Sequence, residues 1–305
     1  MKVLVSGSLA YDRIMDFSGI FSDHILPDKL DDINVSFTVD NLTENYGGTA
    51  GNIAYALQCM GETPVLLATL GYDHHRYSAR LEELNIDTTY VKLIEDDATS
   101  SGFVTTDSDG NQITAFNLGA MKYECDFTEK AINFEDTIAI IAPGNIQDMV
   151  RLSEIYHEHQ VYSIFDPSQS LPVWNGEDLR TAIMQNDITI SNMYELSLIE
   201  NITGWSTEQF VEQAGTVITT KGQAGSEIFY EGSRISIDCV NAEQVIDPTG
   251  AGDSYRGGLL KGLTQGWSLM DSCKLGAVVA SKVVSTRGTQ NYSITFEEAY
   301  RRLAE

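Results

Sequence analysis

Residues 138–165 read IAIIAPGNIQDMVRLSEIYHEHQVYSIF, and this stretch decides the fold class. The apolar runs from Ile138 to Ala142 and from Val161 to Phe165 have the length of buried strands. The segment from Gln147 to Gln160 between them is long enough for a crossover helix, which joins two parallel strands. The stretch therefore predicts a βαβ unit.

Further apolar runs extend this unit into a larger sheet. They are continuous rather than alternating, which is typical of strands covered by helices on both faces. These runs are Val3 to Val5, Val65 to Leu70, Ile188 to Ile190 and Val217 to Thr219. The bulk of the chain is therefore predicted to be α/β, with a central, mainly parallel sheet flanked by helices.

Two other stretches have the pattern of strands with one face in water. Apolar and polar residues alternate from Ile33 to Asp40. Between Ser101 and Phe116, the pair Asp109-Gly110 offers the positive-φ turn of a hairpin. Neither stretch fits a doubly covered sheet, so we expect a small antiparallel β sheet that lies over the main domain as a lid.

The composition restricts the possible partners. The chain has 305 residues, 42% of them hydrophobic, and a formal net charge of −25. Such a chain can build a core, and its negative field repels nucleic acid and anionic lipid, so a small-molecule ligand is favoured over both.

The cysteines and the N-terminus indicate the compartment. The four cysteines are scattered, which predicts neither a zinc site nor disulfides; they are Cys59, Cys125, Cys239 and Cys273. No apolar stretch has the length of a signal peptide core or a membrane span. The sequence therefore predicts a cytoplasmic protein.

The strongest local motif is DPTGAGDSYRGG at residues 247–258. Gly250, Ala251 and Gly252 precede a helical apolar stripe, so their NH groups are expected to converge at a helix N-terminus that can hold an anion. Asp253 falls in the first turn of that helix. Spacing alone leaves two interpretations open, a carboxylate that stabilises the helix terminus or a base beside an anion site.

Two weaker motifs accompany this loop. Gly47 and Gly48 precede another helix and allow close approach of a ligand, and Asn52 can both donate to and accept from hydroxyl groups, although a tight turn with a capping Asn is the alternative. Asn192 and Glu195 follow a strand and could orient hydrated Mg²⁺. Neither a Walker P-loop nor a dinucleotide-binding G-x-G-x-x-G motif after the first strand is present.

In order and spacing, these motifs resemble the PfkB (ribokinase-like) family of carbohydrate and nucleoside kinases. The resemblance extends from Gly7-Ser8 and Asp12 to Gly288-Thr289-Gln290. Segments 5–12, 36–48, 116–121 and 166–169 are most similar to bacterial adenosine kinases of the mycobacterial type. The resemblance implies a ribokinase-like fold in which residues 1–305 form one kinase unit. Its large domain would comprise approximately 1–11, 45–97 and 120–305, and its lid approximately 12–44 and 98–119.

The resemblance also implies the reaction, which is transfer of the γ-phosphoryl group of ATP to the ribose 5′-hydroxyl of adenosine to give AMP, as in purine salvage. Asp253 is implied as the base that takes the hydroxyl proton. Gly250, Ala251 and Gly252 are implied to present NH groups to the transferred phosphoryl group, where charge develops.

The implied cofactors are ATP and Mg²⁺, with K⁺ as a further ion that many family members bind. Asn192 and Glu195 match positions that order Mg²⁺, Glu195 through water. Asp247, Thr249 and Gly288 match the K⁺ positions. The implied nucleotide-binding residues at the end of another strand are Thr220, Gly222 and Gly225.

For the acceptor, the resemblance implies a set of residues around the ribose, namely Ser8, Asp12, Ser36, Gly48 and Asn52. Two aromatic residues of the expected hairpin, Phe103 and Phe116, are interpreted as a sandwich for the purine, with ordinary sheet packing as the alternative. A homodimer that pairs through the lid is expected, because relatives often cover the lid in this way.

Departures from the family pattern bear on the substrate preference more than on the phosphoryl transfer itself. Ser285 stands where many relatives have Glu, Lys221 replaces a usual apolar residue, and the segment from Leu171 to Trp174 lacks the Arg that close adenosine kinases carry. A PfkB-family sugar kinase acting on ribose or fructose, and a catalytically silent nucleotide-binding protein of the same fold, are the alternatives.

Overall fold

The computed structural model describes residues 1–25, 31 and 34–303. Its strands are β1 (Lys2–Ser6), β2 (Ala10–Asp16), β3 (Asn41–Gly47), β4 (Val65–Leu70), β5 (Asp87–Leu93), β6 (Ser100–Thr106), β7 (Gln112–Asn117), β8 (Thr137–Ile141), β9 (Tyr162–Phe165), β10 (Ile188–Asn192), β11 (Val217–Thr220), β12 (Ser226–Tyr230) and β13 (Ser233–Ile237). Its α-helices are α1 (Thr49–Cys59), α2 (His75–Glu83), α3 (Ile146–Glu158), α4 (Gly176–Gln185), α5 (Met193–Thr203), α6 (Thr207–Ala214), α7 (Ala251–Thr264), α8 (Leu269–Val283) and α9 (Phe296–Arg302).

The central sheet has nine strands in the order β13-β12-β11-β10-β9-β8-β1-β4-β5. All pairs from β11 to β5 are parallel, and β12 and β13 add an antiparallel edge. Each of the six apolar runs identified in the sequence lies in this sheet. The predicted α/β fold with a mainly parallel sheet is confirmed.

The βαβ unit shows why the sequence folds this way. Asn145 is the N-cap of helix α3, and its side chain accepts a hydrogen bond from the Asp148 NH group at 3.1 Å. Met149, Leu152 and Tyr156 recur at helical spacing and are buried against the sheet. Burying each such side chain contributes about 2 kcal/mol.

Helices cover both faces of the sheet, and this explains the continuous apolar runs. In β1, Val3 and Val5 belong to one buried cluster, whereas Leu4 belongs to another on the opposite face. Successive side chains of a strand point to opposite faces, so both sets must be apolar. Among the described helices, none has the length and hydrophobicity that crossing a bilayer requires.

A second sheet has four strands in the order β3-β2-β6-β7. The pairs β2–β3 and β6–β7 are antiparallel, while β2 and β6 run parallel. The predicted hairpin is β6–β7, and its turn contains Gly110 at φ 83°. The side chain of Asp107 holds the turn, because it accepts hydrogen bonds from the NH groups of Asp109 and Asn111 at 3.1 and 2.8 Å.

The strand predicted from Ile33 to Asp40 is wrong in position. Ile33 lies outside the described residues, residues 34–39 have no regular structure, and β3 starts at Asn41. Exposure does alternate along residues 34–40, but the ring of Phe37 packs 5.0 Å from the rings of Phe17 and Phe21, beyond the end of β2. The segment is therefore held by its aromatic side chain and not by strand pairing.

Candidate active site

The opening turn of α7 is built from the glycine-rich motif. Gly250 is the N-cap and adopts φ 79°, a conformation that glycine tolerates best. No side chain among the described residues caps this helix, so NH groups of its first turn remain available to a ligand. The NH group of Ala251 is the exception, because it donates to the Pro248 carbonyl at 3.2 Å. The available donors therefore centre on Gly252 and the residue that follows it.

Asp253 is the acidic residue of that turn, and it does not cap the helix. Its Oδ2 accepts a hydrogen bond of 2.8 Å from Asn52 Nδ2. Burial raises the pKa of Asp253 to about 6; Arg256 and Asn52 oppose the shift, and the negative charges of Asp166 and Asp12 add to it. The side chain thus contacts Asn52, which belongs to the Gly47-Gly48 motif.

The Gly47-Gly48 turn places α1, which carries Asn52. Gly48 adopts φ 85°, and a Cβ atom at this position would lie 2.5 Å from the Ser8 carbonyl oxygen. The Ser8 hydroxyl accepts a hydrogen bond of 3.0 Å from the NH group of Thr49, the first residue of α1. Gly48 and Ser8 therefore fix the start of the helix, and through it the position of Asn52.

Asp12 lies on β2 with its carboxylate packed over two glycines. A Cβ atom on Gly47 would lie 2.2 Å from its Oδ2, and one on Gly102 would lie 3.3 Å from its Oδ1. Burial raises the pKa of Asp12 to about 6, and the charge of Asp247 adds to the shift. The two carboxyl groups of raised pKa, on Asp12 of β2 and Asp253 of α7, thus lie near enough to interact electrostatically.

The two aromatic residues of the hairpin lie on opposite faces of the small sheet, so the predicted sandwich does not form. Phe116 pairs with Gly102, which pairs with Asp12, so the Phe116 ring shares the face of that carboxylate. It is 49% exposed. Phe103 is one residue further along β6, and its ring packs 5.2 Å from the guanidinium carbon of Arg13 on the other face. The alternative of sheet packing therefore applies to Phe103.

Ser36 is not brought to the ribose positions. It is exposed in the stretch without regular structure, next to Phe37 in the aromatic cluster with Phe17. Phe17 follows β2 and lies five residues beyond Asp12, about 16 Å along an extended strand. The structure therefore places Ser36 at the far end of the small sheet.

Asn192 and Glu195 form a capping box at the start of α5. The Asn192 side chain accepts from the Glu195 NH group at 2.9 Å, and the Glu195 side chain accepts from the Asn192 NH group at 2.7 Å. Burial and the charge of Asp166 raise the pKa of Glu195. The residue pair therefore has a structural role. In addition, a cation beside the Glu195 carboxylate would offset the cost of burying its negative charge.

A complete metal cage is absent from the described residues, because they contain no cluster of three His, Cys, Asp or Glu side chains suited to one. The single half-buried carboxylate of Glu195 nevertheless fits Mg²⁺, which usually retains water and substrate phosphates as ligands. Glu195 therefore fits a Mg²⁺ ion whose other ligands are water and the phosphates of a substrate.

The predicted nucleotide-binding residues lie at the adjacent strand end. Thr220 ends β11 and pairs with Asn192 of β10. Gly222 and Gly225 form the turn from β11 to β12 with φ 57° and 80°. A Cβ atom on Gly225 would lie 2.1 Å from the Ile237 carbonyl oxygen, so close packing of β13 also requires this glycine.

The predicted K⁺ residues are brought together by one side chain. The Asp247 carboxylate accepts from the NH group of Thr249 at 3.0 Å and from that of Gly288 at 3.1 Å. Burial opposes ionisation of Asp247, but these hydrogen bonds outweigh it and hold its pKa below the ordinary value. The carboxylate thus joins the loop before α7 to the loop after α8.

Sequence reasoning missed a buried ion pair beside Asp253. Arg256, one turn further along α7, is paired with Asp166 after β9. Its guanidinium also donates to the Ser168 hydroxyl at 3.1 Å and to the Gly252 carbonyl at 3.0 Å. The i,i+3 spacing of Asp253 and Arg256 in the motif was the only signal that placed an arginine near the site.

The arrangement can perform proton abstraction next to an anion. A carboxylate whose pKa lies near 6 is mostly ionised at neutral pH and can still accept a proton in a transition state. The NH groups of the same helical turn can stabilise negative charge on a neighbouring group. Asn52 contacts Asp253 directly, and Asp12 and Phe116 share one face of the small sheet.

Known proteins are similar to this chain in sequence and fold. A nucleoside kinase of Methanocaldococcus jannaschii is 32% identical over 278 residues, which are 90% of this chain and 91% of that protein. Its crystal structure, described as an archaeal member of the ribokinase family, superposes with a TM-score of 0.87 at 31% identity, covering 99% of this chain and 98% of that chain.

A second relative has ligand-bound structures. The nucleoside kinase of Burkholderia thailandensis in complex with inosine has a TM-score of 0.84 at 36% identity and covers 99% of this chain and 97% of that chain. Its complex with ADP-inosine has a TM-score of 0.82 at 37% identity, covering 98% and 94%. The ribokinase-like fold predicted from the sequence is confirmed. The finer likeness to mycobacterial adenosine kinases stays a prediction.

The sequence also matches the family model of pfkB carbohydrate kinases over residues 3–295, nearly the whole chain. Together with the glycine-rich opening turn of α7 and the Asp253–Asn52 contact, this match identifies the chain as a member of the pfkB carbohydrate kinase family, whose enzymes transfer phosphoryl groups to alcohol acceptors.

Proposed function

We propose that this protein transfers the γ-phosphoryl group of ATP to the 5′-hydroxyl of a ribonucleoside, with adenosine as substrate and AMP as product. The observation that carries the proposal is the position of Asp253, held by Asn52 at 2.8 Å in the uncapped opening turn of α7. The nucleoside complexes of the Burkholderia relative favour a nucleoside over a free sugar as the acceptor.

In this reaction Asp253 takes the proton of the attacking hydroxyl. The NH groups of the α7 turn, mainly that of Gly252, donate to the transferred phosphoryl group, on which charge is redistributed in the transition state. Mg²⁺ supplies further charge neutralisation when it is bound with ATP, and Glu195 holds it through water. Thr220, Gly222 and Gly225 contact the nucleotide from the β11–β12 turn. K⁺ near Asp247, Thr249 and Gly288 is part of the same proposal.

The acceptor lies between the two sheets. Asp12 and Asn52 hold ribose hydroxyl groups, and the exposed ring of Phe116 stacks on the purine from the small sheet. The small sheet, with the segments around residues 12–44 and 98–119, acts as a lid on the large domain and excludes water from the reacting phosphate.

A coupled assay of ADP release with adenosine, inosine, ribose and fructose tests the acceptor class. We expect kcat/KM for adenosine to exceed that for either sugar by about a hundredfold or more. Turnover of ribose or fructose without turnover of adenosine would instead establish a sugar kinase. ATP binding by calorimetry without turnover of any acceptor would establish a silent nucleotide-binding protein.

The proposal includes a homodimer that pairs through the lid. On the face of the small sheet opposite Asp12, four cross-strand neighbours form a row: Leu42, Met15, Thr105 and Ile113. Leu42 is 62% exposed and Ile113 is 43% exposed. A second copy would cover this row. Light scattering is expected to give twice the monomer mass, and Leu42→Lys is expected to reduce it to the monomer mass.

A further inference from the structure

Three buried polar side chains connect the base of the small sheet to Asp253. The Tyr77 hydroxyl donates to the Gly47 carbonyl at 2.7 Å, and Gln290 Nε2 lies 3.2 Å from the same hydroxyl and 3.0 Å from Asn52 Oδ1. Asn52 Nδ2 in turn donates to Asp253 at 2.8 Å. Tyr77, Gln290 and Asn52 are 0%, 4% and 6% exposed, so water does not compete for these bonds.

We infer that Tyr77 and Gln290 are positioning residues that fix which end of the Asn52 amide faces the Asp253 carboxylate. The inference rests on the proposed role of Asp253 as the base. Neither residue touches Asp253, and both act through Asn52.

The direction of every hydrogen bond follows from the first one. A carbonyl oxygen can only accept, so the Tyr77 hydroxyl donates its single proton to the Gly47 carbonyl. Toward Gln290 the hydroxyl must therefore accept, which means that Gln290 presents its NH₂ group. The same NH₂ group meets Asn52 Oδ1, and this leaves the Asn52 NH₂ group for Asp253. The orientation of both amides is thus determined by the network and not by their nearly symmetric shape.

The packing of α1 supplies independent support. A Cβ atom on Gly51 would lie 2.1 Å from the Tyr77 hydroxyl and 3.2 Å from Gln290 Nε2. Glycine inside a helix costs about 1 kcal/mol relative to alanine. The chain therefore has glycine at a helical position where only the hydrogen atom leaves room for the Tyr77–Gln290 contact.

The consequence concerns the protonation of Asp253. An NH₂ group stabilises the ionised carboxylate, whereas a reversed amide would offer its oxygen to the protonated acid. The other groups that face Asp253 are Arg256 on its own helix, Asp166 after β9, Asp12 on β2 and Tyr292 after Gln290. Replacing Tyr77 by Phe changes none of these charges, so its effect on the base reports on the amide network.

The test is the pH dependence of kcat/KM for the Tyr77→Phe variant. Without the hydroxyl, Gln290 loses its fixed direction and Asn52 can reverse. We expect the acid limb to move up by about one pH unit, because a hydrogen bond to a charged group is lost. Well above the limb, near pH 8, where the base is ionised in either case, activity is expected to stay within about threefold of the wild type.

The matched control is Tyr55→Phe. Tyr55 is a buried tyrosine of α1, and its hydroxyl donates to the Tyr292 carbonyl at 2.6 Å, so the variant also removes one buried hydroxyl between α1 and the segment after α8. It does not touch the amide network, and its acid limb is expected to coincide with that of the wild type. Equal limbs for Tyr77→Phe, Tyr55→Phe and wild type would overturn the inference.

A direct titration separates this inference from the proposed function. Carboxyl ¹³C NMR of aspartate-labelled protein, with the Asp253 signal assigned by Asp253→Asn, measures the pKa without any substrate. A raised Asp253 pKa in Tyr77→Phe supports the inference even if no nucleoside is phosphorylated, and an unchanged pKa rejects it even if turnover is brisk. If Tyr77→Phe does not fold, Gln290→Met gives the same readout, because it removes the same donor to Asn52.

Discussion

Arg256 and Asp166 form an ion pair in which Nη2 lies 2.7 Å from Oδ1, and the two side chains are 5% and 1% exposed. The pair joins the second turn of α7 to the loop after β9. It thereby connects the helix that carries Asp253 to the half of the sheet that leads into α5, the helix that carries Glu195. A buried pair is weak evidence for stability, but removing one partner leaves the other charge buried alone.

The two members of the pair are expected to shift the pKa of Asp253 in opposite directions. Arg256→Gln removes a positive charge and leaves Asp166, so the pKa of Asp253 rises and the acid limb of activity moves up by about one pH unit. Asp166→Asn removes a negative charge and leaves Arg256, so the limb moves down. Profiles of kcat/KM against pH measure both, and a shift in the same direction would show that the pair only supports the fold.

The same two variants are expected to lose stability for one shared reason. Each leaves one buried charge without its partner, which costs about 3–5 kcal/mol in free energy of unfolding. Urea unfolding monitored by tryptophan fluorescence measures this loss. Arg234→Gln is a suitable control, because Arg234 pairs with Glu227 at 3.5 Å while 58% of its side chain is exposed, and its loss should change stability little.

Asp253→Asn is expected to lower the activity and to raise the stability of the protein. Removing the base should lower kcat by about 10²–10⁴-fold, while adenosine still binds. Because burial raises the pKa of Asp253 from 3.8 to about 6, the folded protein binds a proton more tightly than the unfolded chain. Its contribution to stability is present below pH 3.8 and is lost as pH rises through about 6.

Asparagine at position 253 carries no charge, so the Asp253→Asn variant does not lose stability in this way. At pH 8 we expect Asp253→Asn to unfold at a higher urea concentration than the wild type, with a free energy of unfolding that is larger by up to about 3 kcal/mol. At pH 4 the difference in free energy should be small. Calorimetric titration with adenosine and urea unfolding at both pH values measure the two effects. Unchanged kcat would remove Asp253 from the mechanism, and equal stability at pH 8 would contradict the electrostatic cost.

How far the sequence predicts the fold depends on burial. Val65–Leu70 is buried at all six positions, so its apolar run identified the strand without error. The edge strand β5 (Asp87–Leu93) is half in water and has no such run, and it was not predicted. At residues 34–40 the alternation reported exposure correctly, but exposure does not determine which backbone groups pair.

The candidate site shows a second limit. Asp253, Gly250 and Asn52 were predicted because each lies in a local motif next to a helix start. Arg256 meets Asp166 from a distance of 90 residues in the chain, and Gln290 meets Asn52 from 238 residues away. Such contacts leave no periodic or local signal, since they arise only when the sheet order brings the segments together.

Phe116 and Phe103 provide a matched pair for the acceptor. Phe116 shares the face of Asp12, so Phe116→Ala should raise KM for adenosine by about tenfold, because stacking of a base on an aromatic ring contributes about 1–3 kcal/mol. Phe103 packs on Arg13 on the other face, so Phe103→Ala should leave that KM nearly unchanged. Steady-state kinetics at saturating ATP measure both values. Equal effects of the two variants would exclude stacking on Phe116.

The net charge of −25 should act on one substrate and not on the other. ATP is a polyanion, whereas adenosine is neutral, so the field of the protein opposes only the approach of ATP. Two cations of this region are already paired: Lys221, which follows β11, with Glu227 at 3.0 Å, and Arg256 of α7 with Asp166. Local positive charge near the proposed nucleotide turn is therefore largely neutralised, and the repulsion should dominate.

Raising the ionic strength from about 0.05 M to about 0.5 M shortens the Debye length from about 14 Å to about 4 Å and screens this repulsion. We expect KM for ATP to fall several-fold while KM for adenosine changes much less. Tetramethylammonium chloride at constant KCl is the appropriate salt, because it separates screening from any effect of K⁺ near Asp247. A rise in KM for ATP would mean that attraction by the phosphate-binding turn, and not the overall charge, controls the encounter.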